Sequence, residues 1–216
     1  MSAPATRPGR FIAFEGGEGA GKSTQARLLA EALRARGLEV VTTREPGGTP
    51  GAEAIRTLLL STEGADWGTR AEALLFAAAR ADHVERLILP ALTRGAWVVC
   101  DRYLDSSRAY QGGGSGLSDA DIRTLHAIGS EGLLPDMTVL LTLDPVQATA
   151  RLALRDQGAS DRIGGRSAEY HARVAAAFAS FASAEPGRFV VIDAAGEPSQ
   201  VHARIIATLD AAIGLS

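Results

Sequence analysis

The 216-residue sequence predicts an α/β fold built on a five-stranded parallel sheet, and two observations carry that reading. Apolar, β-branched runs recur at residues 11–15, 38–43, 97–101, 137–143 and 189–192, each separated from the next by a segment with helical periodicity. Strands alternating with helices pair in parallel, since every crossover carries the chain back to the same end of the sheet. Between the first run and the first helical segment, Gly16-Gly17-Glu18-Gly19-Ala20-Gly21-Lys22-Ser23 matches the pattern G-x-x-x-x-G-K-[ST] in full.

Taken in order, Phe11-Ile12-Ala13-Phe14 has the character of a buried strand, and Ser23 to Arg36 places Ala26, Leu29, Ala30 and Leu33 on one helical face, with Gly37 as its stop. Residues 44–51 and 111–116 are too rich in Gly and Pro for a helix or strand and read as loops. Residues 69–90 read as one extended helix or two abutting ones, opened by a Thr69/Glu72 capping box and presenting either a core face or a face for a partner subunit. Ser118 with Asp121 and Asp144 with Pro145 mark two further helix starts.

The chain holds 22 Lys and Arg residues, of which Lys22 is the sole lysine. A compact ammonium on a flexible stem reaches under a triphosphate, where a planar guanidinium would collide with the enclosing loop. Lys22 is therefore read as a phosphate ligand. Loop amides and the positive helix end complete the cradle, and the Ser23 hydroxyl supplies a magnesium ligand.

Bulk properties narrow the class. A net charge of −3 and a pI near 5.8 argue against a general nucleic-acid or membrane-surface binder. Cys100 is the lone cysteine, set in the apolar run Trp97-Val98-Val99-Cys100, which makes it a core thiol and points to a reducing cytoplasm. Met1 to Arg10 has no apolar stretch and reads as a disordered tail, neither signal peptide nor anchor, with residues 11–216 as a single domain. His83, His126, His171 and His202 have no metal-binding spacing and read as structural or exposed.

Ligands of an open parallel sheet sit outside the carboxyl ends of its strands, so the residues following each strand matter for chemistry. After the second run come Arg44-Glu45, after the third Asp101-Arg102-Tyr103, after the fourth Asp144 and after the fifth Asp193. Asp101 is placed to hold Mg²⁺, the alternative being a surface pair with Arg102. Arg44 and Arg102 would converge opposite the phosphate loop, and two guanidinium forks suit a phosphate monoester held in line with the γ-phosphate of ATP. Arg151 and Arg155 lie four residues apart, and the polar stretch that follows, with a lid at about 156–167, suits closure over a transferring phosphate.

These residues resemble the thymidylate kinases, within the nucleoside monophosphate kinase group, over roughly residues 10–213. The likeness rests on the phosphate loop with Glu18, on Thr43-Arg44-Glu45-Pro46-Gly47-Gly48-Thr49, on Asp101-Arg102-Tyr103 continuing through Ser106, Ser107 and Ala109-Tyr110-Gln111-Gly112, and on Asp161-Arg162-Ile163. The resemblance implies a three-layer P-loop NTPase fold of strand order 2-3-1-4-5, MgATP-dependent conversion of dTMP to dTDP, and a cytoplasmic homodimer built on helices.

Carried over residue by residue, Gly16, Gly17, Glu18, Gly19, Ala20, Gly21, Lys22, Ser23 and Thr24 would bind ATP, and Ser23 and Asp101 would serve Mg²⁺. Arg44 and Arg102 would clamp the acceptor phosphate. Phe76 would stack on thymine, Arg80 would donate to its O4, Ser107 and Gln111 would read the base edge, and Tyr110 would crowd the ribose 2′ position. Without the resemblance, Phe76 in Leu74-Leu75-Phe76-Ala77 reads as core ahead of a stacking platform. Glu18 in the loop resembles the bacterial type, in which a lid arginine completes catalysis; Arg155 and Arg162 are the candidates beside Lys22, Glu18 and Arg102. Ser115, Gly164 and Ala168 depart from the family pattern and bear on lid geometry. The competing readings are a deoxynucleoside kinase, which would not need both Arg44 and Arg102, and a regulatory ATPase that hydrolyses ATP without an acceptor.

Overall fold

A computed structural model describes residues 9–62, 66–156 and 162–214, with backbone alone at residues 154–156. The expected tail before residue 9, the Arg155 side chain, Asp161 and the lid residues 157–161 lie outside the described residues.

Five strands form the sheet: β1 (Phe11–Gly16), β2 (Val40–Arg44), β3 (Trp97–Asp101), β4 (Met137–Thr142) and β5 (Phe189–Asp193). All pairings are parallel and the order is β2-β3-β1-β4-β5, as the resemblance implied. Side chains alternate across a strand, and this divides the core into two layers. Ile12 and Phe14 of β1 join Val99, Val139 and Leu141 against α1 (Lys22–Ala35) and α9 (Pro198–Ile213), through Leu29, Leu33, Val201, Ile205 and Leu209. Phe11 and Ala13 join Val98 and Cys100 on the other face, where Ala73, Val84, Ile88, Ala91 and Ile122 close the layer. These come from α3 (Thr69–His83), α4 (Leu89–Thr93), the π-helical segment Val84–Ile88 between them, and α6 (Asp119–Ser130).

Four local expectations need correction. Thr69 is the first residue of α3 and not its cap; Gly68 caps the helix without a side-chain bond, and Glu72 turns inward to a fully buried position. The run beginning at residue 69 continues past Pro90 to Thr93, because the wider π turn before α4 places Pro90 at a helix start, where its missing N–H costs nothing. Residues 44–51 are not wholly irregular: Arg44 ends β2, and Pro50 opens α2 (Pro50–Leu60) with Thr49 accepting from the Ala52 N–H. Finally, α5 (Leu104–Ser107) runs into a π-helical segment, Arg108–Gly114, where the composition suggested a loop.

The glycines of that segment serve contact and not turning. A Cβ at Gly113 would lie 2.5 Å from the Ala177 Cβ, and one at Gly114 would lie 2.5 Å from the Tyr170 ring. Both neighbours belong to α8 (Ala168–Ala184), which packs flush on the segment. α7 (Pro145–Asp156) opens with the Asp144 carboxylate accepting from the Val146 N–H, as its position implied.

Beside β4, fully buried Asp105 receives Arg188 Nη1 at 2.6 Å, Arg188 Nη2 at 2.9 Å and Arg108 Nη1 at 2.8 Å. Removing one partner of a buried pair strands the other charges. Asp105→Ala should therefore lower unfolding free energy by about 3–5 kcal/mol, read from urea denaturation; a loss below about 1 kcal/mol would contradict the network's structural weight.

Candidate functional site

The site opens where the strand order reverses, outside the carboxyl ends of β1 and β3. Gly16 leaves β1 at φ 132°, and a Cβ there would meet the Leu141 carbonyl at 2.3 Å, so only glycine lets the loop pass β4. Gly21, in the left-handed region at φ 89°, turns the chain into α1. The Lys22 amine folds back under the loop, donating to the Gly16 carbonyl at 3.1 Å and the Gly17 carbonyl at 2.6 Å. Burial, reinforced by the nearby Arg102 guanidinium, pulls its pKa down to about 7.

The Ser23 hydroxyl donates to Asp101 Oδ2, so the two expected magnesium ligands touch. Asp101 Oδ1 is buried with no hydrogen-bond partner among the described residues. An orphaned carboxylate oxygen beside a hydroxyl at a phosphate loop fits a hard divalent cation, which takes oxygen ligands. The alternative pairing of Asp101 with Arg102 is not what forms. Arg102 donates to Ser106 Oγ at 3.1 Å and the Gly16 carbonyl at 3.3 Å, and pairs with Glu18 at 3.4 Å. Its backbone holds φ 70°, a conformation that side chains other than glycine rarely adopt, and its N–H donates to the Phe14 carbonyl at 2.9 Å.

A cavity of about 430 Å³ joins these groups to the expected acceptor residues: Arg44, Phe76, Arg102, Ser107, Tyr110 and Gln111 line it together with Glu18, Gly19, Gly21, Lys22, Ser23, Thr24 and Asp101. Arg44, about half exposed, pairs with Glu53 at 3.2 Å. Phe76 lies on the cavity wall while packing against the satellite core around Tyr110 and Tyr170, so it is both wall and packing group. Arg80 sits behind the wall. Its guanidinium donates to Glu45 at 2.7 Å, to Ser107 Oγ at 2.9 Å and to the Tyr103 carbonyl at 3.2 Å. Arg162 is off the wall as well, donating to the Leu59 carbonyl at 3.1 Å and to Glu72 at 3.4 Å, with its neighbour Ile163 on the wall. Arg151 does line the cavity, held on the Ala194 and Gly196 carbonyls. Ser115, one of the three departures, accepts from Arg166 at 3.2 Å.

Three carboxylates escaped the sequence reading as site-builders. Glu15 lies fully buried under the cleft, accepting from the Tyr103 N–H at 2.8 Å, the Ser106 N–H at 2.9 Å and the Ser106 hydroxyl at 2.6 Å. Burial, with Asp105 nearby, raises its pKa to about 7, and the three donors oppose that rise. Glu45 joins Arg80 to His83, whose far nitrogen meets Thr43 Oγ1 at 2.7 Å. Glu72, Phe76 and Arg80 recur every four residues on α3, a spacing that marks one helical stripe and was visible in the sequence. His83 and His126 are buried, and burial, aided by Arg80, takes the His126 pKa down to about 4.

A parallel sheet in this order, with a phosphate loop leading from its central strand into a helix, defines the P-loop NTPase fold. The family model for thymidylate kinase matches residues 14–205. Thymidylate kinase of Rhizorhabdus wittichii is 60% identical over 202 residues, covering 94% of this chain and 97% of that protein. Thymidylate kinase of Leifsonia xyli subsp. xyli is 50% identical over 210 residues, covering 97% and 99%. The crystal structure of thymidylate kinase from Ehrlichia chaffeensis superposes with a TM-score of 0.76 at 35% identity, covering 94% of this chain and 100% of that one. The chain belongs to the thymidylate kinase family.

Because Lys22 has a pKa near 7 when the loop holds no anion, a triphosphate placed on it will raise that pKa and draw in a proton. At pH 7.5 MgATP binding should be accompanied by net proton uptake, seen as a buffer-dependent enthalpy in titration calorimetry. Net proton release would contradict the placement.

Proposed function

We propose that the cleft transfers a phosphoryl group from MgATP directly and in line to dTMP, giving dTDP and ADP; the reaction is that of the chain's family, and the division of labour below is our reading of the cleft. The observation that carries it is the shared cavity, in which a phosphate loop and a second set of guanidinium, aromatic and amide groups line one space. Lys22 leaves its loop carbonyls for the phosphate oxygens of the donor, which the loop amides from Gly16 to Thr24 surround. Ser23 and Asp101 hold Mg²⁺, which when bound offsets charge on the donor phosphates. Arg44 and Arg102 orient the acceptor phosphate, while Phe76, Ser107, Tyr110 and Gln111 receive its nucleoside and Arg80 acts from behind Ser107. Glu18 holds the Arg102 fork in place from the loop. A lid arginine, Arg155 or Arg162, completes the transition state, Arg162 by leaving Glu72. No covalent enzyme intermediate is needed, because positioning and electrostatics suffice for this transfer.

We also read residues 11–216 as one kinase domain, working in the cytoplasm without nucleic acid or membrane. No helix among the described residues is long and apolar enough to cross a membrane, and Cys100 is a free buried thiol. Leu74 on α3 and Ile128 on α6 are 56% and 78% exposed on helices that pack together, which supports pairing of two chains through this face. Light scattering should give about twice the 22.4 kDa chain mass; a mass near 22.4 kDa would overturn the pairing.

Steady-state assays of ADP release separate this reading from its competitors. Lys22→Ala should lower turnover by roughly 10²–10³ with an unchanged circular dichroism spectrum. Arg44→Ala should raise KM for dTMP about 10- to 100-fold, by loss of a charged hydrogen bond, and leave KM for ATP nearly unchanged. Thymidine turned over as well as dTMP would favour a nucleoside kinase, and ADP release without dTDP a regulatory ATPase. Because dTMP and dUMP differ by one methyl group, worth about 1–3 kcal/mol, dUMP should be a measurable but weaker acceptor, and equal rates would overturn the methyl pocket.

A further inference from the structure

The Glu72 carboxylate is 1% exposed and binds side chains from two other parts of the chain, and the reading above gives it no part in choosing the acceptor. Gln111 Nε2 donates to its Oε1 at 2.9 Å. Its Oε2 receives Arg166 Nη2 at 2.5 Å and Arg162 Nη2 at 3.4 Å. An ionised carboxylate only accepts hydrogen bonds, so the Gln111 amide must face Glu72 with its nitrogen. The Gln111 carbonyl is thereby turned away from Glu72, and Gln111 lines the cavity.

A carbonyl offered to a pyrimidine selects a ring N–H. Thymine and uracil carry one at N3, whereas cytosine presents a bare lone pair there and would leave two acceptors opposed. A glutamine free to rotate would lose this choice, since its NH₂ could serve the cytosine lone pair equally well. The second oxygen of Glu72 carries the other half of the argument. Arg162 and Arg166 bracket Ile163, which forms part of the cavity wall, so one buried carboxylate fixes both the Gln111 amide and the 162–166 segment.

We propose that Glu72 is a positioning residue that sets acceptor specificity: it locks the Gln111 amide so that its carbonyl reads an N–H on the base, and it ties that reading to the Arg162 and Arg166 limb of the lid. The inference rests on dTMP being the acceptor, and its test keeps the two apart. The full chain is assayed with MgATP against dTMP, dUMP and dCMP, as wild type, Glu72→Gln and Arg166→Met. An amide at position 72 can donate as well as accept, so Gln111 is no longer fixed, and the dTMP:dCMP ratio of kcat/KM should fall by about tenfold or more. The dTMP:dUMP ratio should stay within about twofold of wild type, since both bases carry the N–H.

Arg166 is not on the cavity wall, but besides Glu72 it donates to Ser115 and Tyr170, so a change in selectivity on Arg166→Met is assigned to Glu72 only if it disappears in a Gln111→Ala background. Arg166→Met should lower the dTMP:dCMP ratio by about threefold or more, again without moving dTMP:dUMP. In a Gln111→Ala background, Glu72→Gln should leave the dTMP:dCMP ratio within about twofold, because there is no amide left to orient. Both ratios unchanged in both variants, or both falling in parallel, would overturn the proposal. Should Glu72→Gln fail to fold, Arg166→Met decides, compared with and without Gln111→Ala: a fall in the dTMP:dCMP ratio that persists without the Gln111 amide would overturn the proposal. A wild-type chain inactive on dTMP would instead overturn the acceptor assignment.

Discussion

The cleft depends on one buried carboxylate that lies beneath its lining and not on it. Glu15 is the last inward residue of β1 before the phosphate loop, and its oxygens hold the N–H groups of Tyr103 and Ser106 and the Ser106 hydroxyl. It thus ties the phosphate loop to the segment that carries Asp101, Arg102 and Ser107. Parallel strands fix the sheet to within hydrogen-bonding register, but nothing in the register fixes how the chain leaves β3. Glu15 supplies that constraint. Arg102 sits at its unfavourable φ because the Phe14 carbonyl, the Glu15 carboxylate and the Ser106 hydroxyl hold its surroundings on every side.

The same economy governs charge. The main basic groups of the cleft rest on partners that an anion can displace: Lys22 on loop carbonyls, Arg102 on Glu18 and Ser106, Arg44 on Glu53. Each is open to exchange, because a phosphate binds these groups more strongly than carbonyls, the long 3.4 Å contact to Glu18 or the exposed Glu53 carboxylate do. The fully buried pairs behave differently. Arg80 with Glu45 is 4% exposed on both sides, and a pair of that kind holds architecture and does not exchange partners readily.

What the sequence made legible follows from how local each signal is. The strands were found to within two residues because a buried strand is a contiguous apolar run, and Lys22, Ser23 and Asp101 could be singled out because they follow strands, the first two within a known pattern. Helical glycines at 112–114 were misread since composition reports backbone freedom, whereas here the absent Cβ makes room for Ala177 and Tyr170 from a distant helix. Glu72 was taken for a cap on spacing alone, and only its partners, 39 and 94 residues away in sequence, show it to be a buried acceptor. Glu15 likewise looked like one more strand residue, because the partners that explain it lie about ninety residues on.

Helix α3 places Glu72, Phe76 and Arg80 on one stripe, each about one turn beyond the last. The helix therefore works as a ruler, with Phe76 on the cavity wall between two anchored marks: Arg166 and Gln111 at one end, Glu45 and Ser107 at the other. One residue inserted near Ala77 would swing everything downstream by about 100°, taking Arg80 from Glu45 while Glu72 stayed put. Length, more than composition, is what this helix cannot change.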